Sequence, residues 1–116
     1  MAQLNVRKSL ALGQVTKLND SGPVTGTSTL QFSIPPHSNS EADFSALFQA
    51  VGTLGSLSAD LEFSMDGGNN FNKLSTAALV AATPFKLVTP ILSGGIIWQL
   101  NVTAAPTSAD FYVAIN

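Results

Sequence analysis

The sequence predicts a single all-β domain, an antiparallel β-sandwich of about eight strands. Short runs in which apolar and polar residues alternate are typical of strands with one buried face. Clusters of Gly, Pro, Asn, Asp and Ser separate these runs at short intervals, and such spacing favours a sandwich or a barrel. A length of 116 residues is enough for one domain with an ordinary core.

The N-terminal third begins with an irregular extended segment. Its apolar residues alternate only loosely: Leu4, Val6, Leu10 and Leu12. We therefore expect either one irregular strand from Leu4 to Leu18, or an extended arm over residues 1–12 that is followed by a strand. After a turn at residues 19–23, period-two spacing of apolar residues predicts a strand over 24–34, which the following two prolines end.

Residues 41–51 carry a helical pattern. Ser40 is suited to an N-cap, and two carboxylates fall in the first turn. The apolar residues follow at helical spacing: Phe44, Leu47, Phe48 and Val51. We expect at most one short helix here; the alternative is strand structure, in which Phe44, Ala46 and Phe48 alternate.

The remainder of the chain reads as β-structure. Alternation and turn signals predict strands over residues 56–65, 71–74, 85–88, 96–102 and 109–115. Residues 76–82 are rich in alanine and leave both strand and loop open. Between the first two of these strands, Asp66, Gly67 and Gly68 predict a tight hairpin turn, because glycine adopts positive φ at little cost.

Composition narrows the class of protein. Charged residues make up 10% of the chain, against about 25% in an average soluble domain. We interpret this as a surface largely covered by other subunits, since a protein that assembles sheds like-charge repulsion; the alternative is a neutral β-surface rich in Ser and Thr. Five scattered Lys and Arg do not indicate nucleic-acid binding. We also expect no membrane span and no signal peptide.

The sequence does not predict a catalytic or metal site. His37 is the one histidine, and cysteine is absent, which excludes thiolate chemistry and is consistent with a reducing cytoplasm. Asp60 and Glu62 share the outward face of one strand, where solvent surrounds them, whereas a glycosidase-like pair needs one desolvated acid. Asp66 with the side-chain oxygens of Asn69 and Asn70 offers too few carboxylates for calcium. We expect no enzyme activity, no cofactor and no small-molecule ligand.

The aromatic residues of the last two strands are predicted to point in different directions. Trp98 shares a strand face with Ile96 and Leu100, so we expect it in the core or an interface. Tyr112 alternates with Phe111 and Val113, which places it on the opposite, outward face. It is the candidate exposed aromatic.

Two motifs carry a resemblance to known proteins. Ser64-x-Asp66-x-Gly68-x-x-Phe71 resembles the Asp-box pattern, in which the Asp caps the turn and the aromatic packs inward. With Trp98-Gln99-Leu100-Asn101-Val102 and the last strand, residues 50–116 resemble the small jelly-roll domains of tailed-bacteriophage virions. The resemblance implies that Ser64, Asp66, Gly67, Gly68 and Phe71 form a structural turn.

The resemblance also implies a function. We expect a capsid decoration or cement protein on the exterior of the virion, assembled in the host cytoplasm. It would form a homotrimer and bridge major capsid subunits, without nucleic-acid or membrane partners. The candidate contact residues are Leu4, Val6, Arg7, Lys8, Leu10, Leu12 and Tyr112. The alternative is a tail- or fibre-associated, or carbohydrate-binding, β-sandwich.

Overall fold

The chain is built of β-strands joined by turns and loops. The structure, a computed structural model, describes residues 6–11, 13–20, 22–34, 44–81, 83–89 and 95–115. Over these residues it contains nine strands and no helix. In chain order the strands are β1 (Lys8–Ser9), β2 (Val15–Lys17), β3 (Thr29–Ser33), β4 (Phe44–Thr53), β5 (Ser58–Ser64), β6 (Asn72–Val80), β7 (Phe85–Thr89), β8 (Ile97–Ala104) and β9 (Ser108–Ile115).

These strands form two sheets with jelly-roll topology. The five-stranded sheet has the order β1-β3-β8-β5-β6, and the four-stranded sheet has the order β2-β9-β4-β7. Strands of the first half pair antiparallel with strands of the second half in reverse order: β2 with β9, β3 with β8, β4 with β7 and β5 with β6. A long antiparallel ribbon rolled into two facing sheets gives this pattern. The predicted antiparallel sandwich is confirmed.

One layer of apolar side chains fills the space between the sheets. In β9 every second residue is buried, as period-two alternation requires. Phe32 of the five-stranded sheet meets Phe48 of the four-stranded sheet with ring centroids 5.8 Å apart, and Phe85 stacks on Phe48 at 4.5 Å. The contact between Phe32 and Phe48 therefore joins the two sheets, and Phe85 supports it from within the four-stranded sheet.

The predicted helix is wrong over residues 44–51, which belong to β4; residues 41–43 lie outside the described part. Ala46 and Phe48 are buried, whereas Leu47 and Val51 are 50% and 46% exposed. β4 is flanked on both sides, by β7 and by β9. Pairing along both edges satisfies its backbone and overrides the local helical spacing.

The segment before β2 lies along the sandwich over residues 6–11. β1 pairs parallel with β3, and the amide of Leu10 donates to the carbonyl of Ser33 at 2.9 Å. The Leu10 side chain is 3% exposed and belongs to the core. Lys8 forms an ion pair with Asp20. These residues thus complete their own domain, while Leu4 and Leu12 lie outside the described residues.

Truncating Leu10 should therefore destabilise the isolated chain. We expect Leu10→Ala to lower the free energy of unfolding by about 2–5 kcal/mol, because it removes a buried side chain and leaves a cavity. Val6→Ala is the matched control, since Val6 is 69% exposed. Urea unfolding of both variants measures the difference; equal stabilities would mean that the segment does not pack in its own core.

Candidate interaction surface

The turn between β5 and β6 is closed by its own side chains. Ser64 Oγ donates to Asp66 Oδ1 at 2.6 Å, and Gly68 N donates to Ser64 Oγ at 3.0 Å. Asp66 Oδ1 also accepts from the amides of Asn69 and Asn70, at 3.2 and 3.0 Å. The hydrogen bond from Ser64, followed by those from Asn70, holds the pKa of the Asp66 carboxyl well below its usual range. The carboxylate serves the turn itself.

The glycines and the aromatic of this segment have distinct roles. Gly67 and Gly68 have φ angles of 80° and 94°, which side-chain-bearing residues rarely adopt. Phe71 is half-buried. The neighbouring Phe63 and Leu74 pack against the core cluster and so attach the hairpin to the sandwich.

The outer face of the five-stranded sheet is polar and internally hydrogen-bonded. Gln31, Gln99 and Glu62 lie in register on β3, β8 and β5. Gln31 Nε2 donates to Gln99 Oε1 at 3.2 Å, and Gln99 Nε2 donates to Glu62 Oε1 at 2.6 Å. Arg7 Nη2 donates to Gln31 Oε1 at 3.0 Å, and Asn101 Nδ2 donates to Glu62 Oε2 at 3.1 Å. We call these five residues the polar row.

The polar row leaves little capacity for a ligand. Gln99 is only 6% exposed although it points away from the core. Asp60, on the same strand as Glu62, lies 3.5 Å from Lys73. The carboxylates of Glu62 and Asp60 are thus both engaged by neighbouring donors. Among the described residues, no group of three or more His, Cys, Asp or Glu could hold a metal ion.

The outer face of the four-stranded sheet has the opposite character. Val15 of β2, Ala114 of β9, Leu47 of β4 and Lys86 of β7 are successive register partners across this sheet. Val15 is 69% exposed and Leu47 is 50% exposed. We call Val15, Ala114 and Leu47 the apolar row; Lys86 ends it at the β7 edge.

A groove of about 340 Å³ runs over the apolar row. Its remaining lining comes from Gly13, Gln14, Ser45 and Ile115. The groove therefore combines an aliphatic floor with one cationic end.

Tyr112 lies beside this groove, on the same outward face and two residues along β9 from Ala114. It pairs with Lys17 on one side and Gln49 on the other, and it is half-buried on the outward face, as its alternation predicts. Asp110 beside it accepts a hydrogen bond from Asn19 at 2.9 Å and lies 3.5 Å from Lys17. The predicted contact residues are thus separated: Lys8 belongs to the five-stranded sheet and Arg7 hydrogen-bonds to it through Gln31, whereas Tyr112 belongs to the other sheet.

Lys86 differs from the other cations of the chain. Each of the other four has a polar partner: Arg7 with Gln31, Lys8 with Asp20, Lys17 with Asp110 and Lys73 with Asp60. Lys86 is exposed and has no hydrogen bond or ion pair with any residue that the structure describes. Its charge is available to a partner.

Trp98 is 5% exposed and lies 6.1 Å from Phe63, ring centroid to ring centroid. It is a core residue, as its strand face predicts. His37 lies outside the described residues.

Sequence reasoning missed the apolar row. The helical spacing of residues 44–51 places Leu47 on the apolar side of a helix, which hides its exposure. In addition, the strand register that aligns Leu47 with Val15, Ala114 and Lys86 joins residues that are far apart in the chain. The available signal was the strand alternative for residues 44–51, which places Leu47 and Val51 opposite Phe48.

Comparison of the chain with models of protein families, with curated proteins and with solved structures finds no significant match. Within the described part of the chain, no helix is long and apolar enough to span a membrane.

The Asp66 turn predicts an acid-dependent loss of stability. The folded-state pKa of Asp66 lies below its ordinary value of 3.8, so ionised Asp66 stabilises the fold above that value, and this contribution is lost as the pH falls through the lowered folded-state pKa. Asp66→Asn should therefore be less stable than wild type at about pH 7, and the difference should shrink below about pH 4.

Urea unfolding at several pH values measures this difference. Asp60→Asn is the control, because it removes a carboxylate from β5 and leaves the turn intact. A difference between wild type and Asp66→Asn that stays constant down to about pH 2 would contradict the role of the ionised carboxylate.

The polar row predicts a second stability effect. Glu62→Ala should lower the free energy of unfolding by about 1–3 kcal/mol, because the nearly buried Gln99 Nε2 loses its acceptor. Lys73→Gln, which removes one partner of an exposed ion pair, should cost less than about 1 kcal/mol. If denaturant unfolding gives the two variants the same stability, the row does not hold the sheet face together.

Proposed function

We propose that this chain is a structural virion protein, a capsid decoration or cement protein of a tailed bacteriophage. It binds the outer capsid surface, forms a homotrimer and bridges major capsid subunits to stabilise the head. The observation that carries the proposal is a jelly-roll sandwich in which one of the two outer sheet faces presents exposed aliphatic residues. Most of the charged side chains that the structure describes have partners within the chain.

The fold supports this class of function. Jelly rolls recur in viral capsid domains, where two rigid sheets present broad faces to neighbouring subunits. The fold alone does not specify a function, because lectins and some enzymes share it. The link to phage virions comes from the Ser64–Phe71 turn and the strands that follow it.

The contacts favour binding over catalysis. Glu62 accepts from two amide side chains, Asp66 is held by its own turn, and Asp110 is held by Asn19 and Lys17. Carboxylates that are saturated in this way serve the architecture. By contrast, Leu47 and Val15 gain from leaving water, since apolar burial contributes about 25 cal/mol per Å².

The mechanism is additive burial at many equivalent sites. Each chain contributes a small contact, and a trimer engages several capsid subunits at once, so that dissociation of one contact leaves the others in place. Rupture of the head then requires many contacts to break together.

A carbohydrate-binding or tail-associated sandwich is the second candidate, and Tyr112 favours it. This aromatic lies on an outward face between Lys17 and Gln49, and an aromatic surface beside polar groups is suited to a sugar ring. Trp98 does not contribute, because it is 5% exposed. Glycan binding should therefore alter the fluorescence of Tyr112 rather than that of Trp98.

The copy number of the chain in purified particles tests the proposal. In particles produced with the gene at its native locus, we expect hundreds of copies of the chain per virion. Quantitative mass spectrometry measures this number. Deleting the gene should leave heads that release DNA at lower temperature, and adding purified chain should restore them.

Two results would contradict the proposal. Absence from particles would rule out a virion protein, and a handful of copies together with glycan-dependent Tyr112 fluorescence would favour the tail-associated candidate. A chain that decorates heads without changing the temperature of DNA release would not be a cement protein.

A further inference from the structure

We propose that the groove over the apolar row binds a segment of a partner protein that presents an aliphatic side chain next to a carboxylate. The aliphatic group packs on Val15, Ala114 and Leu47, and the carboxylate pairs with Lys86. The chemistry follows from the groove itself; identifying the partner as the major capsid protein rests on the proposed function.

The aliphatic half of the site follows from the sheet register. Val15, Ala114 and Leu47 form a continuous line across β2, β9 and β4 because each is a register partner of the next. Val15 and Leu47 project from this line with 69% and 50% of their surfaces exposed. A volume of about 340 Å³ lies at the lower end of the range for binding pockets, roughly 300–1,000 Å³. The groove is thus large enough for a side chain and its flanking backbone.

The carboxylate half follows from the distribution of charge. Within the part of the chain that the structure describes, Lys86 is the cation that lacks an internal partner, whereas Lys17 on the same face is paired with Asp110. Lys86 borders apolar surface, where a bound partner excludes water and strengthens a charge pair. Ser45 lines the same groove and adds a hydroxyl that can donate to the carboxylate.

The charges argue against a second copy of this chain as the occupant. If two copies met through this face, each Lys86 would need a carboxylate from the other. Asp110 is the carboxylate described on this face, and it is already engaged by Lys17 and Asn19. A partner that brings its own carboxylate avoids this conflict.

The size of the face points the same way. The four strands lie about 4.8 Å apart and contribute on average about six or seven residues of 3.3 Å each, so that the face has a projected area of roughly 400 Å². A stable two-protein interface buries about 800 Å² on each partner. This face alone is too small for a stable dimer and is suited to a contact repeated over a regular array of partner subunits.

A titration with a dipeptide pair tests the site chemistry directly. The probe is N-acetyl-leucyl-aspartate amide, and its neutral isostere is N-acetyl-leucyl-asparagine amide. In methyl-labelled protein we expect the acidic probe to shift the NMR signals of the Leu47 and Val15 methyls in a saturable way, and to bind at least about threefold more tightly than the isostere.

Substitutions assign the two halves of the site. Lys86→Gln should reduce the affinity for the acidic probe to that for the neutral isostere, and Lys86→Arg should retain the preference. Leu47→Ser should weaken both probes. Lys73→Gln, on the opposite sheet, is the control and should change neither. All three positions, Leu47, Lys73 and Lys86, are exposed, and a thermal melt of each of the four variants verifies its fold.

Three results would overturn the inference. These are shifts confined to another surface, equal affinity for the two probes, or a Lys86→Gln variant that keeps the preference. A concentration-dependent dimer that Leu47→Ser abolishes would also overturn it, because the occupant would then be a second copy.

Particle binding separates this inference from the proposed function. If the wild-type chain is absent from virions while the dipeptide result holds, the capsid assignment fails and the groove chemistry stands. If wild type and a Leu47→Ser, Lys86→Glu double variant decorate heads at the same copy number, the chain is a virion protein and the groove is not its docking site.

Discussion

The two sheets are held together by a single layer of apolar side chains, and the rest of the structure depends on that layer. Phe32 and Phe48 meet across it, and Phe111 lies within it without exposure to solvent. Because side chains alternate along a strand, placing these residues inward assigns every intervening residue to an outer face. The inner layer thereby decides what each outer face can offer.

Strand alternation determines which residues lie on each of the two outer faces, and the two sets differ in polarity. The five-stranded sheet carries amide side chains and the Glu62 carboxylate, which hydrogen-bond to one another across neighbouring strands, and Gln99 is nearly buried among them. The four-stranded sheet carries Val15 and Leu47, and among the described residues no such network covers these two side chains. A polar face that satisfies itself gains little from a partner, whereas an exposed aliphatic line gains by burial. This contrast distinguishes the face that we propose for docking from the face that is held by its own hydrogen bonds.

The low charge content also has a structural consequence. The chain contains five Lys and Arg and seven Asp and Glu, and the charges in the described residues are largely paired with neighbours or held in turns. Such a surface exerts little long-range repulsion on other copies or on other proteins. Lys86 is the exception in this part of the chain. It lies at the end of the apolar row, next to Leu47, so its unpaired charge borders the exposed aliphatic side chains.

Local pattern alone predicted most strands and the Ser64–Phe71 turn, because alternation, prolines and glycines act within a few residues of one another. Tertiary pairing decided the rest. Residues 44–51 have helical spacing, yet they form β4 because β7 and β9 supply hydrogen-bond partners on both edges. Leu10 has the pattern of an arm and lies in the core. The apolar row exists only in the register of three strands, β2, β9 and β4, which come from distant parts of the chain, and no local signal encodes that register.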